Sequence, residues 1–406
     1  MKNIIVIGGG ASGMMASLIA SQENNQVILL EKNEKLGKKI YITGKGRCNL
    51  SNYCDNQEFL KNVVRNNRFL YSSINALSPY ETYSFFSDLG LNLKIERGNR
   101  VFPESDKASD VTKTLEKALV KNGVDIRLNQ QVTNIVIENG TVKYVMTETD
   151  KFDCDSVIVC TGGISYSSTG STGDGYYFAK KSGHTVTDLL PSLVGLELQG
   201  GDFAELQGLA LKNVSVQCKN QDKTVYSDFG ELLFTHFGVS GPTILSCSAI
   251  INRLDFSNLT LFIDLKPALN EVALDARLIR EFTENNSKSI INVIPSLVPK
   301  SMANLILSRA QIRKDKKCCE ITKVERQNLI KTLKNLSFKL KKLRPIEEAV
   351  VTSGGVSVEQ INPKTMESKL VKGLYFAGEV LDVDAFTGGF NLQIAFSTGY
   401  LAGKNA

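Results

Sequence analysis

Residues 1–31 combine apolar runs and small residues in the pattern of a βαβ unit. Ile4–Ile7 is a continuous β-branched run, which predicts a parallel strand buried on both faces. A G-x-G-x-x-G loop, Gly8 to Gly13, follows at once and leads into small residues that suit a helix packed closely on a sheet. The run Gln26–Leu30 predicts a second strand, which ends in Glu31.

The loop and the terminal acid of this unit predict a nucleotide site. Gly8 permits a tight turn, Gly10 lets the backbone approach a pyrophosphate, and Gly13 lets helix and strand pack closely. The helix N-terminus offers free N–H groups and a partial positive charge to that pyrophosphate. Glu31 can accept hydrogen bonds from a ribose and would repel a 2′-phosphate, so an adenosine diphosphate group without one is favoured.

The pattern continues to alternate between strand and helix as far as residue 190. Apolar spacing of three and four predicts helices within 57–90, at 108–121 and at 176–182. Strands are predicted at 91–96, 124–128 and 156–160, and the pair Asn139-Gly140 predicts a hairpin between 131–137 and 142–147. Residues 100–105 predict a turn.

Three stretches in this half carry polar groups or small residues that suit a ligand. Residues 32–52 predict a loop rich in donors, with Thr43, Arg47 and Asn49 suited to the edge of a flat heteroaromatic ring or to a phosphate; an ordinary surface loop is the alternative. Thr161-Gly162 follows a predicted parallel strand, where small residues let the backbone approach a ligand. Backbone groups near Val132 could pair with an adenine edge.

Pro191 marks a change to short alternating strands. Strands are predicted at 194–198, 214–219, 224–229, 231–235, 259–266 and 338–343, a pattern typical of an antiparallel, barrel-like module. Residues 268–335 instead show helical spacing, which predicts a helical insertion or lid. His236 lies in a polar stretch of this module, and both a structural and a catalytic role are open.

The last sixty residues repeat the pattern of the first segment, in which an apolar run is followed by a glycine turn. Apolar runs at 349–352 and 374–376 predict strands, each followed by a glycine turn, and the segment after Thr387-Gly388-Gly389 predicts a helix to the C-terminus. Glu379 and Asp382 can hold ribityl hydroxyls. The N-terminus of the last helix can face the N1–C2=O edge of an isoalloxazine ring, where reduction builds negative charge. A flavin cofactor is long and must be bound at both ends, which explains why two distant stretches of the chain would bind one cofactor.

The predicted fold is therefore α/β. A Rossmann-like FAD-binding domain with a parallel central sheet is interrupted by an antiparallel β-rich, barrel-like domain that carries a helical insertion. The predicted boundaries are 1–190 with 345–406 for the FAD domain, 191–267 with 336–344 for a β-rich substrate domain, and 268–335 for the helical insertion or lid.

Composition and charge narrow the class of protein. The net charge of +6 is small for 406 residues, Trp is absent, and the chain shows no basic stripe interleaved with aromatics, so no nucleic acid is expected. No apolar run is long enough for a membrane helix, and no signal peptide begins the chain, which predicts a cytoplasmic protein without membrane contact. Eight cysteines without a C-x-x-C pair and two histidines predict no metal site.

Six motifs together resemble the BaiN-like flavoprotein family, also called the aminoacetone-oxidase-like FAD-binding family. They are Gly8–Gly13, Leu36–Lys39 with Thr43–Asn49, Val101–Pro103, Thr169–Gly175, Phe234–Pro242 and Phe376–Gln393. Lys45 stands where the Thr-Gly-Gly-Gly-Arg version of the second motif has glycine. The resemblance implies an FAD domain of the glutathione-reductase-2 type, and reduction of unsaturated or steroid-like ketones or oxidation of amines as the reaction.

Several functions are compatible with this sequence. The leading prediction is an FAD-dependent oxidoreductase that transfers a hydride between flavin N5 and a small organic substrate, with NADH or NADPH as a possible transient reductant. Alternatives are an amine oxidase that uses oxygen, a disulfide reductase using Cys48 and Cys54, and a flavin-bearing RNA-binding or RNA-modifying protein. Five residues separate those cysteines where flavin disulfide reductases have four, which argues against a redox pair.

The sequence leaves the catalytic residue, the substrate and the oligomeric state open, with Arg47, Asn49 and His236 as catalytic candidates by chemistry only. The residues predicted to bind the cofactor are Gly8, Gly10, Ala11, Ser12, Gly13, Glu31, Lys32, Lys39, Thr43, Gly44, Arg47, Cys48, Asn49, Val132, Thr161, Gly162, Gly378, Glu379, Asp382, Gly388, Gly389, Asn391 and Leu392.

Overall fold

The structure is a computed structural model that describes all 406 residues. It divides into two compact units, one formed by Met1–Ser192 with Pro345–Ala406 and the other by Leu193–Arg344. They are called the nucleotide unit and the barrel unit below. No helix of the structure has both the length and the apolar character needed to cross a bilayer.

The chain forms nineteen strands and thirteen α-helices. The strands are β1 (Asn3–Ile7), β2 (Gln26–Leu30), β3 (Ser51–Asn52), β4 (Leu93–Glu96), β5 (Arg100–Pro103), β6 (Asp125–Arg127), β7 (Val132–Glu138), β8 (Thr141–Thr147), β9 (Lys151–Asp153), β10 (Ser156–Val159), β11 (Leu190–Ser192), β12 (Leu196–Leu198), β13 (Ala210–Asn220), β14 (Lys223–Thr235), β15 (Gly238–Ser240), β16 (Leu259–Asp264), β17 (Leu336–Leu343), β18 (Val351–Ser353) and β19 (Leu374–Phe376). The helices are α1 (Ala11–Gln22), α2 (Lys38–Ile42), α3 (Asn56–Lys61), α4 (Tyr71–Ala76), α5 (Pro79–Asp88), α6 (Ala108–Lys121), α7 (Asp174–Lys181), α8 (Pro242–Ile251), α9 (Glu271–Glu284), α10 (Ile290–Val293), α11 (Ala303–Arg309), α12 (Lys323–Lys334) and α13 (Phe390–Asn405).

A five-stranded parallel sheet forms the centre of the nucleotide unit, in the order β19-β10-β1-β2-β6. Strand β1 lies in the middle, with Ile5 opposite Val157 of β10 and Ile28 of β2. All four residues of β10 are buried, as expected for a parallel strand covered on both faces. The predicted fold class, a Rossmann-like parallel sheet with a separate antiparallel barrel, is confirmed.

The head and the tail of the chain meet beside this sheet. Strand β19, from the tail, pairs with β10, which in turn pairs with β1. Helix α13 packs against α1 so closely that two glycines of α13 face backbone: a Cβ on Gly399 would collide with the carbonyl oxygen of Ser12, and one on Gly403 with that of Ala16. Two sequence-remote segments are thereby fixed side by side.

The barrel unit is a closed six-stranded antiparallel barrel, in the order β12-β15-β14-β13-β16-β17. Its buried side chains and those of helices α9 to α12 belong to one hydrophobic cluster, which includes Leu261, Phe338, Leu278 and Leu333. The helices therefore complete the core of the barrel unit. A role of residues 268–335 as a lid stays a prediction.

Three local predictions were wrong. Residues 224–229 and 231–235 form the single strand β14, because Gly230 stays in the ladder opposite Val214 where a turn was expected. Residues 100–105 contain strand β5, since Gly98 and Asn99 both take positive φ and make the hairpin turn before it. Residues 32–52, predicted as a loop, contain α2, a short 3-10 helix and β3.

The contact between α1 and α13 predicts that a glycine-to-alanine change in α13 destabilises the protein, the opposite of its usual effect in a helix. Replacing a helical glycine by alanine ordinarily stabilises a helix by about 1 kcal/mol. We expect Gly399→Ala to lower the melting temperature instead, because its methyl group would meet the Ser12 carbonyl. Gly201→Ala is the control, since no atom lies within 4 Å of a Cβ there. A Gly399→Ala protein as stable as the wild type, measured by thermal unfolding, would contradict the close approach.

Candidate functional site

The loop between β1 and α1 leaves a space at the N-terminus of α1. Gly8 has a φ of +101°, and a Cβ there would lie 2.7 Å from the carbonyl oxygen of Cys160. Gly13 faces the backbone of Gly8, so both glycines are required by close packing. Gly10, by contrast, has no atom within 4 Å of a Cβ position, and no side chain caps α1. A side chain at Gly10 would therefore meet no protein atom, and no side chain of the protein caps the first N–H groups of α1.

Glu31 is buried at the carboxyl end of β2 and is already held by backbone. Its Oε2 accepts a hydrogen bond from the N–H of Gly9 at 2.6 Å, and its Oε1 accepts from the backbone and side-chain nitrogens of Asn33 at 2.8 and 2.6 Å. These bonds fix the carboxylate beside the glycine loop. Lys32 points to other partners, because its ammonium group binds Asp174 at 2.7 Å and also Thr172.

The carboxyl end of β10 contributes a hydroxyl without a partner. Thr161 Oγ1 is buried and makes no hydrogen bond within the protein. Gly162, which follows, takes a φ of +73°. A buried hydroxyl loses free energy unless it is paired, so an unpaired one at this edge of a parallel sheet is a candidate ligand contact.

Glu379 joins the head and the tail of the chain through its carboxylate. Its Oε2 lies 2.7 Å from the ammonium nitrogen of Lys39, and its Oε1 accepts from Ser165 Oγ at 3.0 Å and from the N–H of Thr352 at 2.9 Å. Lys39 also donates to Ser165 Oγ at 2.7 Å. Gly378, immediately before Glu379, has a φ of +81° and faces Ser12 of α1.

The second contact between head and tail joins the segment at 49–52 to the N-terminus of α13. The Asn49 side-chain amide donates to the carbonyls of Val101 and Ser51 and accepts from the N–H of Gly389 at 3.1 Å. Asn52 Nδ2 donates to the carbonyl of Gly388 at 3.0 Å.

The N-terminus of α13 is shaped by its own residues as well. A Cβ on Gly389 would collide with the backbone of Ser51, which fixes glycine at that position. Asn391 braces the turn before the helix, because it accepts from the N–H of Ala385 at 3.0 Å and donates to that residue's carbonyl at 2.8 Å. Leu392, beside it, is half-buried.

Arg47 is engaged by surface acids. Its guanidinium group binds Glu96 and also Asp106, with the latter's Oδ1 2.8 Å from Nε, and it stacks over the ring of Phe102 at 4.2 Å. Thr43, at the start of the same turn, donates to the carbonyl of Ile40 at 2.7 Å, and Gly44 takes a φ of +57°.

Two aspartates after Glu379 have different surroundings. Asp382 is bound through both of its oxygens by Arg65, each at 2.8 Å. Asp384 is fully buried, where it accepts from Ser192 Oγ at 2.8 Å and from Ser353 Oγ at 3.2 Å. Burial raises the pKa of Asp384 to about 6.

The cysteines and histidines do not form a reactive pair. Cys48 and Cys54 are buried free thiols, and burial raises the pKa of each to about 12, which disfavours the thiolate that a redox reaction needs. His184 is held by Ser182 and Ser368 in the nucleotide unit. His236 is an exposed residue in the barrel unit, in the turn between β14 and β15. No group of three or more His, Cys, Asp or Glu residues could hold a metal ion.

The structure therefore gathers most of the predicted residues at one edge of the parallel sheet, with Val132 buried at the start of β7. Sequence reasoning missed Ser165, Thr352 and Arg65, which hold Glu379 and Asp382. A lone hydroxyl or arginine carries no motif, so only the pairing in the folded chain reveals these three.

A family model described as "HI0933-like protein Rossmann domain" matches residues 2–405. The chain belongs to this HI0933-like Rossmann family of FAD-binding oxidoreductases. It is 31% identical over 419 positions to a 3-dehydro-bile acid delta(4,6)-reductase of Clostridium scindens, covering 100% of this chain and 99% of the relative. It is 29% identical over 405 positions to the ribosomal RNA dihydrouridine synthase of Escherichia coli K12, covering 99% and 97%.

Among solved structures, the 3-ketosteroid-delta4-(5alpha)-dehydrogenase of Rhodococcus jostii RHA1 has the same fold. The two superpose with a TM-score of 0.55 at 13% sequence identity, and the match covers 100% of this chain and 96% of the other.

The site fits FAD by three observations on this chain. The N-terminus of α1 is uncapped and faces open space at Gly10. Thr161 Oγ1 is buried without a partner at the adjoining strand end. Two carboxylates remote in sequence follow strands of the sheet, Glu31 directly after β2 and Glu379 three residues after β19, where hydroxyl groups of a long dinucleotide can be bound.

The buried Asp384 predicts a pH dependence of stability. Its pKa of about 6 lies above the ordinary value of 3.8, so the folded state binds the proton more tightly than the unfolded state. Stability from this group is present at low pH and is lost as the pH rises from about 4 to about 6, by up to about 3 kcal/mol. Asp384→Asn should therefore gain stability relative to the wild type across that range.

Urea unfolding at several pH values measures this difference. Asp88→Asn, at an exposed acid in α5, is the matched control and should differ from the wild type by the same amount at every pH. An Asp384→Asn protein whose difference from the wild type does not change between pH 4 and 7 would show that Asp384 is ionised freely in the folded chain.

Proposed function

We propose that this protein is an FAD-dependent reductase of a carbon–carbon double bond conjugated to a carbonyl group. The observation that supports FAD as the cofactor is the meeting of head and tail at one sheet edge. There Glu31 and the α1 N-terminus adjoin the loop after β10, and Glu379 and the α13 N-terminus come from the other end of the chain. A dinucleotide as long as FAD can be bound along such an edge.

The names of two full-length relatives support the conjugated double bond as the reacting group. One is named for reduction of a 3-dehydro-bile acid at delta(4,6), and the other for synthesis of dihydrouridine in ribosomal RNA. The delta-4 double bond of a 3-ketone and the C5=C6 bond of uracil are both conjugated to a carbonyl. In both, a hydride adds at the carbon β to the carbonyl and a proton adds at the α carbon.

The residues of the site have separate tasks in this proposal. FAD, when bound, supplies the two-electron hydride chemistry. The N–H groups at the start of α1 would bind its pyrophosphate, Glu31 would accept from ribose hydroxyls, and Glu379, with Lys39 beside it, would face the ribityl chain. The N-terminus of α13 would stabilise negative charge, and its glycines, Gly388 and Gly389, keep the backbone free of side chains there.

The first test concerns the cofactor. Glu31→Ala removes the acceptor at the end of β2 and leaves the N–H of Gly9 without its partner. We expect about 2 kcal/mol of lost binding free energy, or roughly a thirtyfold weaker affinity for FAD, measured by flavin fluorescence during titration of the apoprotein. Glu34→Ala is the matched control, because that carboxylate is exposed and three residues away. Equal affinities in the two variants would contradict the role of Glu31.

The second test concerns the reaction. Under anaerobic conditions, NADH or NADPH should bleach the bound flavin, and a conjugated enone added afterwards should restore its colour with a saturated ketone as product. A panel of amines should leave the oxidised flavin unchanged. Bleaching by an amine, with oxygen as the acceptor that restores the colour, would favour the amine-oxidase alternative and overturn the proposal.

A further inference from the structure

The positive charge of this protein is concentrated in one of its units. The barrel unit, Leu193–Arg344, contains 22 Lys and Arg residues and 15 Asp and Glu residues, a net charge of +7. The nucleotide unit contains 26 and 27, a net charge of −1. A modest total of +6 therefore conceals a basic barrel attached to a nearly neutral flavin domain.

The outer face of the barrel brings together basic residues from distant strands. Lys219 of β13 lies opposite Thr260 of β16, and Thr260 lies opposite Lys339 of β17. Neither lysine has an acidic group within salt-bridge distance. Lys341, two residues along β17, has a side chain that is 61% exposed. Its ammonium group lies 3.7 Å from Glu197, a carboxylate that also binds Lys342 and Arg344.

An aromatic side chain lies in the next row of the same face. Phe262 of β16 is opposite Gln217 of β13 and Ser337 of β17. The ammonium group of Lys219 lies 5.0 Å from the centre of the Phe262 ring. The intervening residues of these strands, such as Leu261, are buried in the barrel core, so the two rows share the outer side.

The composition of these rows distinguishes the possible partners. Besides lysine and phenylalanine, the rows contain only hydroxyl and amide side chains: Thr224, Ser227, Gln217, Thr260 and Ser337. Two acids border this face: Glu197 lies 3.7 Å from Lys341, and Asp264 lies in the following row, where it is paired with Lys334 at 2.6 Å. That row ends at Phe229, which is 59% exposed. Lysine cations can pair with phosphates, aromatic rings can stack on bases, and uncharged side chains can form hydrogen bonds with either. This combination matches a single-stranded nucleic acid better than an acidic protein, which offers no bases to stack.

We propose that this face of the barrel, built on Lys219, Phe262, Lys339 and Lys341, binds RNA. The three ammonium groups would neutralise phosphates, and Phe262 would stack on a base. The inference rests on the proposed function in one respect. The uracil ring of a bound strand contains a double bond conjugated to a carbonyl group, which is the reacting group proposed above. The binding surface, however, depends on the charge and the geometry of the barrel unit alone.

The experiment measures binding of a fluorescent, uridine-containing RNA oligonucleotide to the full chain by anisotropy across a salt series. We expect the triple variant Lys219→Ala, Lys339→Ala, Lys341→Ala to bind at least about tenfold more weakly at 50 mM salt. The slope of log affinity against log salt should become shallower by about 2, since each lost phosphate contact removes roughly 0.7. Phe262→Ala should weaken binding about tenfold while leaving that slope unchanged.

A matched variant tests whether position matters as well as charge. Lys113→Ala, Lys117→Ala, Lys121→Ala removes the same charge from the exposed side of α6 in the nucleotide unit, and it should bind RNA like the wild type. Melting temperature and flavin content confirm that each variant is folded, and Lys→Gln versions replace any that is not. Equal weakening by both triple variants would overturn the proposal, as would wild-type binding by the barrel variant.

Competition experiments distinguish RNA from other anionic partners of this face. A polyglutamate peptide or vesicles of anionic lipid that displace the RNA at equal charge concentration would assign the face to anionic partners in general and overturn the RNA proposal. If the protein fails the reductase test but still binds RNA through this face, only the proposed reaction is overturned. Reduction of a small enone by a protein that does not bind RNA would remove only this inference.

Discussion

The close contact between α1 and α13 is the constraint on which the rest of the nucleotide unit depends. Gly399 and Gly403 allow the last helix to lie against the backbone of the first, and β19 extends the sheet on the same side. Because the strands are parallel, their carboxyl ends meet at one edge, and the loops that follow β1, β10 and β19 all lie there. The packing of two helices thus decides that Glu379 is near Lys39, which precedes it by hundreds of residues.

The same contact explains why some site residues could be read from the sequence and others could not. The glycine loop and Glu31 are local, so their spacing alone predicts a nucleotide-binding turn and the acid that ends the next strand. The fold class followed from the alternation of apolar runs with helical segments. Glu379 could be proposed because a glycine turn after an apolar run repeated the opening pattern.

What the sequence did not reveal is how those acids are held. Ser165 and Thr352 bind Glu379, and Arg65 binds both oxygens of Asp382, through contacts that no spacing encodes. The strand at 100–103 was missed for a related reason. Its pairing depends on a turn at Gly98-Asn99 whose glycine precedes the asparagine, the reverse of the Asn-Gly order that signalled the hairpin at 139–140.

The charge of the barrel illustrates the same limit on a larger scale. Along the chain, Lys219, Phe262 and Lys339 belong to three unremarkable strands, and a total of +6 over 406 residues argued against a polyanion as partner. Closure of the barrel places β13, β16 and β17 side by side, and only then do two lysines and an aromatic ring occupy adjoining rows. In the proposed RNA-binding role, the cations of the barrel unit would capture phosphates, whereas hydride chemistry at an uncharged ring would gain little from cations.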